Sequence, residues 1–328
     1  MKPETDLPRI AVVGSGYMGG GMAQVFILNG YSCVIADASA EIALASFDRL
    51  VREAREFEVD GLFPHGSAKL IQKRLEWSDT IEDAVADADY IAEAVPERTD
   101  VKSTVLSRIS SAARPDALIT SNTSAMPIEV LSGYVTHPER FLGVHWMNPA
   151  PFVPCVEVIP SSQTALPAIE FSEKLIQGLG KVAVRVSDQA GFVANRLQYA
   201  LFHEATRMVE EGLATPRQID QVVSNSFGFR LPFFGPFATA DMAGLDVYIG
   251  SYESLAAAYG ERFAAPQLLT ERIANGDLGL KTGGGFTGMD RERIEEIVQY
   301  RNRAYFLLQK LREELGPVPG WASEIEQR

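Results

Sequence analysis

The chain has little cysteine, little histidine and a shortage of positive charge. Cys33 and Cys155 are the 2 cysteines of 328 residues. Two thiols make neither a disulfide framework nor a zinc set; a reducing, cytoplasmic setting and no metal are expected. Lys and Arg number 30 against 43 Asp and Glu, a formal net charge of −13. No basic block stands out, which argues against nucleic-acid binding and against attraction to an anionic membrane. From Ile10 to Ala36 there is no charge, and the stretch has the length of a membrane span. Its glycines, the polar Ser15, Gln24, Asn29 and Ser32, and the Asn29-Gly30 turn assign it instead to a buried core unit. The opening MKPETDLPR is mixed in charge, unlike the positive start of a signal peptide, so no leader is expected.

Hydrophobic residues make up 46% and charged residues 22%, a soluble globular composition. The length suggests two domains. Short apolar runs alternate with helical patterns through the first half, which predicts βαβ units and a parallel sheet. Candidate strands are Ile10–Val13, Cys33–Ala36, Tyr90–Ala94, Ala117–Thr120, Phe141–His145, Val156–Ile159 and Val182–Val186. A helical stretch runs from about Glu41 to Trp77 with a break near Gly61–Gly66. Asp188–Gly191 reads as the turn leaving the sheet. Beyond it Phe192, Leu197, Leu201, Ala205 and Met208 recur at helical spacing. Thr215-Pro216 opens another helix, and Pro232, Gly235 and Pro236 punctuate a loop before a third around Leu245–Ala258. A last helix covers about Arg291 to Leu315. The expected fold is α/β: a Rossmann-type doubly wound sheet over residues 1–188 and an all-helical domain over 189–328.

Ile10–Val13 runs into Gly14-Ser-Gly16-Tyr17-Met18-Gly19 and then a helix. The glycines permit a tight turn, close approach to a pyrophosphate and close helix–strand packing, and the helix N-terminus offers free N–H groups. Asp37 ends the second strand, where a carboxylate accepts hydrogen bonds from an adenosine ribose and repels a 2′-phosphate. The next residues are Ala38 and Ser39, with no Arg to hold that phosphate, so NAD is favoured over NADP. FAD uses the same fingerprint.

Of 4 histidines, His137 is expected to be solvated, His65 lies in a Pro/Gly-rich break and His203 sits on a helix. His145 differs, because it ends an apolar strand at the edge where open α/β sheets bind ligands. Glu157 is enclosed in the apolar run Cys155–Ile159 and needs a partner. A His145–Glu157 pair would hold the imidazole in one tautomer and raise its basicity. A buried ion pair that merely fastens two strands uses the same residues. Ser124 closes the Ser121–Ser124 turn near the same edge, where a helix-capping role is the alternative. Asn195 stands at the domain junction, where its amide could simply bind backbone.

Together these residues resemble the L-3-hydroxyacyl-CoA dehydrogenase family. The likeness runs through the nucleotide loop, EAVPE (93–97), NTS (122–124), GVHWMNPAP (143–151), VEVI (156–159), GFVANRL (191–197), GPF (235–237), DMAGLD (241–246) and LGLKTGGGF (278–286). It implies a Rossmann domain with a helical dimerisation domain, hence a homodimer. It implies a base at His145 supported by Glu157, with Ser124 and Asn195 binding the substrate oxygens. It implies cofactor contacts from Gly14, Gly16, Tyr17, Met18, Gly19, Asp37, Glu97, Lys102, Ser124 and Lys281.

Family members that bind acyl-CoA place Ser and Lys on the helix pair after the second strand. An ungapped count from Asp37 lands here on Glu53 and Asp60, and carboxylates repel a polyphosphate. A gap would bring Lys69, Lys73 or Arg74 into that role. The tail Gly316–Arg328 resembles no CoA feature. The expected function is oxidation of an L-3-hydroxyacyl-CoA with NAD. The same chemistry on a small hydroxy acid, alcohol or aldehyde without CoA, as in the gulonate, carnitine and pyridine-carboxylate branches, is the alternative. A catalytically silent, lens-crystallin-like nucleotide-binding protein is a second alternative, which the intact His145, Glu157, Ser124 and Asn195 set opposes.

Overall fold

The computed structural model describes residues 7–319; the first six residues and most of the 316–328 tail lie outside the described residues. Strands β1 (Ile10–Val13), β2 (Cys33–Ala36), β3 (Leu75–Trp77), β4 (Tyr90–Glu93), β5 (Leu118–Ser121), β6 (Phe141–Trp146), β7 (Cys155–Pro160) and β8 (Val182–Arg185) form one sheet. Its order is β3-β2-β1-β4-β5-β6-β7-β8. Between the strands run α1 (Tyr17–Leu28), α2 (Ala40–Val59), α3 (Ser67–Arg74), α4 (Ile81–Val85), α5 (Thr99–Ala112), α6 (Ile128–Ser132) and α7 (Leu166–Gly178).

The alternation of β1 decides the layers. Ile10 and Val12 join one core with Phe26, Leu50 and Tyr90, while Ala11 and Val13 join another with Ile91, Leu106 and Ile119. Side chains of successive strand residues point to opposite faces, so the sheet is covered on both sides. The order turns outward in both directions from β1 and β4, which makes the fold doubly wound.

The sheet is not wholly parallel. β6 and β7 pair antiparallel, and β8 runs parallel to β7. The loop from Trp146 to Cys155 is too short for a helical crossover, so the chain must turn back on itself. The helical stretch expected to reach Trp77 ends earlier, because Leu75–Trp77 is the edge strand β3.

By contacts the chain forms two compact units, 1–202 and 203–328, with the division inside α8 (Ala194–Glu210). Phe192 is not part of that helix. It is buried with φ at +48°, a left-handed conformation, and α8 starts two residues later. The second unit holds α9 (Pro216–Asn225), α10 (Phe227–Arg230), α11 (Pro236–Ala243), α12 (Leu245–Tyr259), α13 (Gln267–Ala274) and α14 (Ile294–Leu315), and no strand among its described residues. Thr215 caps α9 with a reciprocal Gln218 box. The segment read as a loop before α12 contains α11, because Gly235 is an N-cap and Pro236 a first helical residue. No helix among the described residues is long and apolar enough to cross a membrane.

Candidate active site

The C-terminal ends of β1, β2, β5 and β6 carry the nucleotide loop, Asp37, the Ser124 turn and His145, while Glu157 lies within β7 and Asn195 in α8 (Ala194–Glu210). At β1 the chain turns through Gly14, whose φ is +94° and where a Cβ would stand 2.6 Å from Ala94 O. At Gly19 a Cβ would stand 1.8 Å from Gly14 O, so that helix–loop contact requires glycine. Gly16 is different: a Cβ there meets nothing within 4 Å. The loop is therefore closed by Gly14 and Gly19 and open at Gly16, with Tyr17 exposed and Met18 half-buried beside it. The first N–H groups of α1, which starts at Tyr17 beside Gly16, lack intrahelical acceptors. This is a fit for a dinucleotide pyrophosphate.

Asp37 follows β2 as expected, but much of its carboxylate serves the loop. Its Oδ2 accepts from Ser15 N at 2.7 Å and from the Ser15 hydroxyl at 2.7 Å, and Oδ1 accepts from Ala38 N at 2.8 Å. Three of about four acceptor positions are used, leaving roughly one for a ribose hydroxyl.

Glu93, Lys102 and Glu97 form a second group. Glu93 and Lys102 are fully buried and 2.7 Å apart. Lys102 Nζ also reaches Val95 O at 3.2 Å and Glu97 at 3.5 Å. The lysine read as a cofactor contact is thus enclosed, its ammonium spent on the protein itself. Glu97 Oε1 accepts from the Thr123 hydroxyl and from the N–H groups of Ser124 and Ala125, both at 3.1 Å. Burial pushes the Glu97 carboxyl up, but these bonds and the Lys102 charge outweigh it and leave it below the ordinary carboxylate value. Glu97 accordingly holds the turn that carries Ser124.

His145 and Glu157 pair across β6 and β7. Nδ1 lies 2.9 Å from Glu157 Oε2, and both side chains are buried. The other carboxylate oxygen accepts from Val193 N at 3.0 Å and Ala194 N at 2.9 Å, at the start of α8. Burial alone would raise the Glu157 carboxyl; the bonds from His145, Ala194 and Val193 reverse this and hold it below the ordinary value. A carboxylate at Nδ1 fixes the proton there and leaves Nε2 as the basic nitrogen. The Phe192 ring, 5.6 Å from the imidazole, covers its flank.

The next residue in α8 closes the circuit. Asn195 Nδ2 donates to Ser124 O at 2.9 Å, and Asn122 Oδ1 accepts from Trp146 N at 2.8 Å. His145, Glu157, Asn195 and the Ser124 turn are therefore tied together by these hydrogen bonds and by the chain itself, through 145–146 and 193–195. The amide of Asn195 does bind backbone, and keeps one N–H and its carbonyl oxygen. Lys281 lies in the second unit, 2.8 Å from Asp246.

Lys181 was not singled out from the sequence. It is buried, and its ammonium donates to Ala150 O, Pro151 O and Val153 O at 2.7, 3.0 and 2.8 Å. Three donors meet three carbonyls of the loop that leaves His145. A lysine between a glycine and an apolar run gives no sign of this.

The family model for the 3-hydroxyacyl-CoA dehydrogenase NAD-binding domain matches residues 9–189, and that for its C-terminal domain matches 191–288. The chain is 33% identical to the 5-formyl-3-hydroxy-2-methylpyridine 4-carboxylate 5-dehydrogenase of Mesorhizobium japonicum, over 93% of this chain and 98% of that protein. It is 34% identical to the probable 3-hydroxybutyryl-CoA dehydrogenase of Bacillus subtilis, over 86% and 97%. The solved 3-hydroxyacyl-CoA dehydrogenase of Archaeoglobus fulgidus superposes with a TM-score of 0.76 at 31% identity, over 92% of this chain and 99% of that one. The chain belongs to the 3-hydroxyacyl-CoA dehydrogenase family, NAD-dependent oxidoreductases that act on CH–OH groups.

Proposed function

We propose that the chain oxidises the hydroxyl of an L-3-hydroxyacyl-CoA to the 3-oxo thioester, with His145 as the base. The observation that carries this is the buried His145–Glu157 pair, bonded at Nδ1 with Nε2 left over. Bound NAD would supply the acceptor for the hydride of the carbinol carbon. His145 Nε2 takes the hydroxyl proton, and the Glu157 carboxylate stabilises the imidazolium that results. Ser124 and Asn195 hold the hydroxyl and carbonyl oxygens, their own positions set by Glu97 and by each other. Gly14, Gly16 and Gly19 with the start of α1 would hold its pyrophosphate, and Asp37 its ribose.

A second reading, the same chemistry on a small substrate without CoA, has its own support. Phe152, in the loop after β6, packs on Phe57 at 5.5 Å and on Phe63 at 6.1 Å. Rings rather than cations thus join that loop to the α2–α3 hairpin, the surface where the resemblance puts the CoA nucleotide. Against it, Glu53 is no free carboxylate: it lies 2.8 Å from Arg49. Half of the charge argument against CoA is thereby removed.

NADH formation with 3-hydroxybutyryl-CoA beside a panel of free hydroxy acids separates the two. Turnover with the thioester alone supports the first reading. Turnover with a free acid alone overturns it in favour of the second. Wild-type turnover in His145→Gln overturns the base assignment in both.

A further inference from the structure

Ser46, Arg49, Leu50 and Glu53 share one face of α2. Leu50 anchors that face in the core. The polar members work on the nucleotide loop. Ser46 Oγ lies 2.8 Å from the Ser15 hydroxyl. Arg49 Nη2 donates to Ser15 O at 2.7 Å and to Gly16 O at 3.3 Å, while Nη1 donates to Glu53 at 2.8 Å. A Cβ at Gly20 would stand 3.0 Å from Nη2, so glycine there leaves room for the guanidinium.

A cation is thereby clamped against the first turn of α1. That helix end already carries the positive pole of the dipole, and a second positive charge beside it is unfavourable by itself. Glu53 offsets part of the cost. An anion at the open side of Gly16 would offset the rest, and the cofactor's pyrophosphate is such an anion.

We infer that Arg49 is a cofactor-affinity residue: it fixes the Ser15–Gly16 peptides and adds to the positive field at the pyrophosphate, and Glu53 tempers that field. The inference rests on the nucleotide loop and is independent of the substrate and of His145.

The test is titration of NADH fluorescence with wild type, Arg49→Gln, Arg49→Lys and Glu53→Gln at low and moderate salt. Gln at position 49 keeps an N–H donor and loses the charge. Arg49→Gln should raise the NADH Kd about three- to tenfold and flatten its salt dependence. Arg49→Lys, which keeps the charge, should fall between it and wild type. Glu53→Gln should tighten NADH binding about two- to threefold, because the guanidinium loses its counter-ion. Wild-type affinity and salt dependence in Arg49→Gln, or weaker binding in Glu53→Gln, would overturn the inference. A merely structural arginine would alter melting temperature without altering the salt dependence of binding. If Arg49→Gln does not fold, the direction of the Glu53→Gln change decides.

Discussion

His145 and Glu157 are direct cross-strand partners in the antiparallel β6–β7 pair. Their meeting is a matter of register, since a slip of one residue would send one of the two to the opposite face. Lys181 fastens the loop between the two strands, and the start of α8 feeds two N–H groups to Glu157.

The chemical step should therefore depend on both partners unequally. His145→Gln should lower kcat by roughly 10²–10⁴-fold, the usual worth of a general base. Glu157→Gln should lower it less, roughly 10–10³-fold, because the imidazole survives without its charged partner. NADH affinity should stay near wild type in both. Stopped-flow NADH formation with the active substrate measures the first quantity and fluorescence titration the second. Full turnover in both variants would reduce the pair to a fastening between strands.

Acid should weaken the fold through Glu157 and Glu97. Both carboxyls are held below their ordinary value of 4.5 in the folded chain. Between that value and the lower folded one, the unfolded chain binds more protons, so stability falls as pH falls. The contribution is fully present above about pH 4.5 and is lost on descent through the folded values. Urea midpoints measured from about pH 6 to about pH 3 should decline less steeply in Glu157→Gln than in wild type. Parallel curves would refute the assignment.

Lys181 gives a third expectation. Lys181→Met removes the ammonium but keeps much of the stem, leaving the carbonyls of Ala150, Pro151 and Val153 without their donor. Losing these bonds should cost on the order of 2–3 kcal/mol of stability. Hydrogen exchange should rise first in residues 147–154, and the substrate KM should rise with it. Unchanged exchange in that loop would show that other contacts hold it.

What the sequence made legible follows the same physics. β1, α1 and β2 were readable because a fully buried four-residue strand, a glycine loop and a second strand leave few alternatives. The His145–Glu157 pair was readable because an acid in an apolar strand demands a partner. β3 was not, since it has three residues of which only Leu75 is buried. Phe192 fitted a helical period and yet sits outside the helix, since a period records spacing and not the left-handed turn at one residue. Lys102 matched a family position, but spacing does not tell that its ammonium turns inward to Glu93. The Arg49–Glu53 pair did carry a signal, the i,i+4 spacing, which a count of isolated carboxylates passes over.

Assembly is the last expectation. Among the described residues of the second unit the buried apolar cluster is small, built around Ala240, Leu245 and Leu269. Large apolar side chains remain outside it: Leu231, Phe237, Phe306 and Leu307 are 44%, 54%, 60% and 54% exposed. Two of them belong to the apolar run 231–237 and two to the apolar run 305–308. Exposed apolar surface on this scale is what a stable interface removes from water. We expect a homodimer formed through residues beyond about 190. Light scattering at micromolar concentration should give twice the chain mass, and Phe306→Glu together with Leu307→Lys should shift the protein toward monomer. A monomer mass for the wild type, or a dimer indifferent to both substitutions, would refute an interface on that surface.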